Sequence, residues 1–170
     1  MVNRARPGHR ITQFFATLFA PLLPVDTAYA AVQLSPVLLT LFQRMARAEQ
    51  RHGIALCRRL AEQGHTTPDL LAAALLHDVG KLCAPPRLWE RVWVVLAEAF
   101  APERAARWSA STSPRWWQRA LVARRQHAAW GAELAAEAGA TARTVSLIRT
   151  HHDPPGDDAD LRALQVADET

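Results

Sequence analysis

Short apolar-periodic runs, opened by a capping residue and a proline and closed by glycine, constrain the folding of this chain more than any other feature. Ser35-Pro36 precedes a run to about Met45, and Thr67-Pro68-Asp69 precedes Leu70, Leu71, Leu75 and Leu76. A serine or threonine side chain accepts from an N–H of the first helical turn, and proline at the first helical position forfeits no bond because its N–H would have no partner. Gly64 and Gly139 stand where such runs stop, a position where glycine closes a helix. Alanine, leucine and arginine dominate, β-branched residues are sparse and the prolines fall between runs, so the chain reads as all-α. The predicted helices run from Ser35-Pro36 to about Met45, on to about Gln63, from Thr67 to His77, from Leu88 to Phe100, and briefly after Pro102. They continue over Arg115 to Arg125, His127 to Ala138 and Ala142 to His151, with a last one from about Asp158.

With 170 residues, 49% of them hydrophobic, the chain can build one core but not two separate ones. A single-domain bundle over residues 45–170 is expected, with an amphipathic helical extension over residues 1–44 packed on it. In that extension Arg4, Arg6 and Arg10 precede an apolar stretch from Ile11 to Leu23, and Ala28-Tyr29-Ala30 resembles a signal-peptidase site. Thr12, Gln13, Thr17 and Pro21 interrupt the stretch, which falls short of the ~20 apolar residues that span a bilayer. Phe14, Phe15, Leu18 and Phe19 are spaced instead as on an amphipathic helix, so a cytoplasmic chain is expected. The same face would also suit docking on a membrane.

Cys57 and Cys83 form neither a disulfide framework nor a CxxC pattern and read as small buried hydrophobes, as Trp89 and Trp93 read as core. The formal charge of +4 favours an anionic ligand, and nucleic acid stays among the candidates, although the basic residues are scattered. Nineteen of the twenty basic residues are arginine; the single lysine, Lys81, lies three residues beyond Asp78. A flexible ammonium differs chemically from a planar guanidinium as a point-charge donor at a site; the ordinary alternative is a solvated lysine at a helix end.

His52, His77, His127, His151 and His152 fall at helix ends or on apolar faces, together with Asp78 and Asp168. Imidazole and carboxylate donors in one set suit iron, manganese, nickel, cobalt or zinc, whereas oxygen donors alone would suit magnesium or calcium. Adjacent helical residues point about 100° apart, so His77 and Asp78 cannot share a face but can flank an ion near the helix end. His9 and His65 have no such setting and read as ordinary surface residues.

Order and spacing carry the argument further. The run Leu75-Leu76-His77-Asp78-Val79-Gly80-Lys81 resembles the HDxGK motif of the HD-domain metal-dependent phosphohydrolases. Arg51-His52 upstream, His127 with Gly131 four residues later, Ile148-Arg149-Thr150-His151-His152 and a closing Asp168 follow the order of that superfamily over residues 45–168. The resemblance implies an HD-type helical bundle that hydrolyses a phosphomonoester or phosphodiester, with a nucleotide as the expected substrate class and one or two divalent transition-metal ions. It implies one ion held by His52, His77, Asp78 and Asp168, and a second by a bridging Asp78 with His127 and His151. His151 is preferred to His152 because the isoleucine stands three residues before it, and His152 is a further candidate ligand. Lys81 would neutralise a phosphate oxygen.

Pro154-Pro155-Gly156 replaces the Gly-Tyr-Pro signature of the cyclic-dinucleotide group, so that substrate is not expected. The competing reading is a non-catalytic regulatory HD domain that binds a nucleotide or a protein. Neither the substrate nor the oligomeric state is legible in the residues.

Overall fold

The computed structural model describes residues 24–169, and the amphipathic helix expected over residues 11–23 lies outside them. Every regular element among the described residues is helical. Two short helices come first, α1 (Thr27–Gln33) and α2 (Pro36–Gln43). Asp26 caps α1 by accepting from the Tyr29 N–H at 3.1 Å, and Ser35 caps α2 by accepting from the Leu38 N–H at 3.4 Å, as the Ser35-Pro36 signal predicts. Next come α3 (Arg47–Glu62) and α4 (Pro68–Leu76), then a 3₁₀ turn (Val79–Leu82). The second half comprises α5 (Leu88–Phe100), α6 (Pro102–Ser109), α7 (Arg119–Glu137), α8 (Ala142–Thr150) and α9 (Ala159–Asp168). Gly64 and Gly139 follow α3 and α7 with φ of 85° and 83°, the left-handed backbone that only glycine adopts without strain.

The break expected near Gln126 is absent, and α7 runs unbroken through His127. Residues 119–130 are strong helix formers with no proline among them, and Gly131 keeps a negative φ, so nothing local interrupts the ladder.

Helix α4 is the centre of the bundle. Every residue from Leu70 to Leu76 is buried, which explains its apolar character all round. It packs between α3 and α8, with α1 and α9 also against it, and their buried residues, from Ala30 and Phe42 to Leu164 and Ala167, form one continuous core. A smaller cluster joins α5 and α6 to α7 through Val94, Ala97, Ala105, Ala120 and Leu121, flanked by Trp93 and Trp108. Two expectations fail here. Trp89 is exposed beside the ring of Trp116, itself exposed, while Trp93 is half-buried and packs against the smaller cluster; Cys83 is exposed beyond the 3₁₀ turn, while Cys57 is fully buried.

Two close backbone approaches set up the site. A Cβ on Gly80 would stand 1.9 Å from the His127 carbonyl oxygen and 2.6 Å from the Gly131 nitrogen, so the 3₁₀ turn lies directly on the backbone of α7. A Cβ on Gly53 would stand 3.0 Å from the Leu75 carbonyl oxygen, so α3 also lies close to α4, though less tightly. These contacts draw His127 toward Asp78 and His52 toward His77. No helix among the described residues is long and apolar enough to cross a membrane.

Candidate metal centre

Five segments deliver donor side chains to one cleft of about 720 Å³. Helix α3 supplies His52. His77 is the residue that ends α4, and Asp78 follows it. His127 comes from the middle of α7, His151 from the end of α8 with His152 behind it, and Asp168 from the last turn of α9. All the metal-ligand candidates read from the sequence therefore meet, as does Lys81, while His65 is exposed elsewhere.

Three of the histidines are held alike. Nδ1 of His77 donates to the Ala74 carbonyl at 2.9 Å, that of His127 to Arg124 at 2.7 Å, and that of His151 to Ile148 at 2.7 Å. A carbonyl oxygen can only accept, so Nδ1 carries the proton and each neutral ring keeps the lone pair on Nε2. This is the tautomer a metal ligand needs, with its orientation fixed by the opposite ring nitrogen.

The donor atoms fall into two groups, each with its members within 4.8 Å of one another: His52, His77 and Asp168, and His127, His151 and His152. Asp78 lies between them. Its Oδ2 is 3.6 Å from His77 Nε2 and its Oδ1 is 3.6 Å from His127 Nε2. In the first group His52 Nε2 is 2.7 Å and His77 Nε2 is 3.7 Å from Asp168 Oδ1. In the second, His127 Nε2 and His152 Nε2 are 3.2 Å apart. Asp168 is secured although it ends its helix, since His52 bonds its carboxylate and Arg59 donates to the neighbouring Ala167 carbonyl.

At His127, His151 and both carboxylates the electrostatics favour the protonation states that ligation requires. Burial pushes His127 down to about 4 and His151 down to about 3, so both are neutral at ordinary pH. Burial, helped by Arg124, also lowers His152. For Asp78 burial acts upward, but the Lys81 ammonium and the adjacent His77 ring outweigh it and hold the carboxyl well below its usual range. For Asp168 burial again acts upward, and the hydrogen bond from His52 prevails, bringing the carboxyl to about 2. The same bond raises His52 above its ordinary value.

Whether these residues fit a metal turns on His151. Its Nε2 is buried and has no hydrogen-bond partner, whereas buried polar atoms are almost always satisfied. A lone pair aimed into a histidine and carboxylate cluster is satisfied by a cation, and the mixed nitrogen and oxygen set fits a divalent transition metal.

Lys81 is not a solvated helix-end lysine. Its Nζ lies 2.5 Å from Asp78 Oδ2 and 3.6 Å from Glu49 Oε1. Glu49 is a site residue that sequence reasoning missed: it is 6% exposed, accepts from Arg91 at 3.1 Å, and its Oε2 has no partner. It stands one helical turn before His52, so the spacing was a usable signal, but a glutamate among arginines reads as a solvated face. Arg91 and Arg124 also line the cleft, and Val94, Val95 and Ala123 give it an apolar wall.

No protein-family model, curated protein or solved structure matches the chain.

Proposed function

We propose that this protein is an HD-type, divalent-metal-dependent phosphohydrolase acting on a phosphomonoester or phosphodiester, with a nucleotide as the leading substrate class. One observation carries the reading: a single carboxylate, Asp78, lies between two groups of three donors, with one oxygen 3.6 Å from a ring nitrogen of each. His52, His77, Asp78 and Asp168 would hold one ion, and Asp78, His127 and His151 a second, with His152 near enough to join.

Divalent ions in such a pair supply a nucleophile by lowering the pKa of water to about 7 and neutralise the oxygens of a phosphoryl group in transfer. The chain's own residues do the rest. The carbonyls of Ala74, Arg124 and Ile148 fix three imidazoles with Nε2 inward, so no reorientation precedes binding. Lys81 has a rotatable ammonium at the cleft wall and can move from Asp78 to a phosphate oxygen, while Glu49 and Arg91 hold charge around it. Arg124, exposed at the cleft and paired with Glu98, can turn to a further anionic group of the substrate.

The test is turnover of p-nitrophenyl phosphate, its bis ester and a panel of nucleotides by protein loaded in turn with iron, manganese, nickel, cobalt and zinc. Metal-dependent hydrolysis that disappears in Asp78→Ala supports the reading. Tight nucleotide binding without turnover under any metal would make the protein a regulatory binding domain instead.

A further inference from the structure

Nine large apolar residues are exposed among the described residues, and six of them, Trp89, Val92, Val95, Leu96, Phe100 and Trp116, belong to α5 or to the turn before α7. Trp89, Val92, Leu96 and Phe100 recur at spacings of three, four and four, which places them on one stripe of the helix roughly 80° wide at 100° per residue. Trp116 extends the stripe sideways, its ring 5.8 Å from that of Trp89. Phe100 is 83% and Trp116 70% exposed, and their grouping with the stripe, not the exposure of single residues such as Val32, marks this face. The opposite side of α5 is occupied: Val94 and Ala97 pack in the small core, and Arg91 and Val94 line the cleft.

The charge around this stripe identifies its occupant. Between residues 87 and 119 five arginines are exposed, Arg87, Arg104, Arg107, Arg115 and Arg119, against one exposed acidic residue, Glu103. Glu90 is engaged by the Arg87 backbone N–H and Glu98 by Arg124. A second copy of the chain would bring two such arginine sets together. Exposed tryptophan and phenylalanine on a helix that packs against the one bearing exposed Arg104 and Arg107 match an anionic lipid surface, where aromatic rings settle at headgroup level and basic side chains meet phosphate.

We infer that the exposed face of α5, with Trp116, is a docking surface for anionic membranes. This goes beyond the proposed hydrolysis and does not depend on it, since binding is read without turnover. The full chain is sedimented with vesicles of phosphatidylglycerol and phosphatidylcholine mixed, and of phosphatidylcholine alone, at low and high salt. Wild-type protein is expected to bind the anionic vesicles, to release at high salt, and to shift its tryptophan emission to the blue. Phe100→Ser with Trp116→Ser, both exposed and therefore expected to fold as judged by circular dichroism, should lower the affinity about tenfold or more. Arg104→Gln with Arg107→Gln should weaken only the anionic binding. Failure to bind anionic vesicles, or unchanged binding by the Ser variant, overturns the inference. A dimer in light scattering that the Ser variant dissolves would also overturn it, assigning the face to a second copy.

Discussion

Gly80→Ala should uncouple the two halves of the centre. The added Cβ would stand 1.9 Å from the His127 oxygen, 2.6 Å from the Gly131 nitrogen and 2.8 Å from the His127 carbonyl carbon. All three are backbone atoms, so no side chain can rotate away, and the 3₁₀ turn must separate from α7 by about 1.5 Å to restore ordinary contact. Overpacking typically costs 1–3 kcal/mol, and a contact that only backbone motion relieves belongs near ~3 kcal/mol. At ~2–4 °C per kcal/mol for a domain of this size, Tm falls by roughly 6–12 °C. The same shift moves Asp78 from His127, now 3.6 Å apart, and ligand positions tolerate only about 0.2 Å of error, so one ion should be lost. Gly64→Ala is the control: its φ of 85° makes alanine strained, about 1–2 kcal/mol, but nothing lies within 4 Å and the site is remote. Thermal unfolding with elemental analysis reads both effects. A Gly80→Ala protein with wild-type Tm and metal content would refute the close-approach argument.

His77→Ala and Asp78→Ala should each abolish metal binding and turnover while circular dichroism shows the helices intact; an unfolded variant would make the residue structural. Lys81→Arg should lower turnover on a phosphate ester more than metal content, because a bulky planar fork replaces a rotatable ammonium, and unchanged kinetics would remove Lys81 from substrate handling. Metal-free protein should lose stability as pH falls from about 6.5 toward 3. The unfolded chain protonates its histidines near 6.5, whereas folded His127 waits until about 4 and His151 until about 3, so the unfolded state binds more protons in that window. Each opposes folding by a few kcal/mol at the acid end. His52, raised by Asp168, adds stability that grows as pH falls toward 6.5 and is constant below it, so it leaves the slope in this window unchanged. Denaturant midpoints measured between pH 7 and pH 4 check the sign, and a flat profile would show that the two rings are not neutral and buried.

Local chemistry was legible in the sequence and long-range covering was not. The Ser35-Pro36 start and the span from Leu88 to Phe100 could be read because a cap, a proline and a helical period lie within a few residues of one another. The break expected near Gln126 arose from reading two motifs as two helices, although no residue there opposes helix. The exposure of Trp89 could not be read from periodicity, because an apolar face reveals the helix but not whether another element covers it. The donor residues were found through their order along the chain, yet spacing alone could not pair His52 with Asp168, 116 residues away, or place Asp78 between two groups. Glu49 was hidden for the same reason, since its ionic partner Arg91 is 42 residues distant.

The central claim is that Asp78 joins two metal positions, and metal stoichiometry tests it most directly. Protein purified without chelator, saturated with manganese or zinc and dialysed mildly, should carry two equivalents by elemental analysis. His127→Ala and His151→Ala should each carry one and lose most turnover, because His52, His77, Asp78 and Asp168 keep their geometry. Wild-type protein with a single equivalent, and a His127→Ala variant unchanged in both metal and rate, would contradict the account and leave one ion among those four residues.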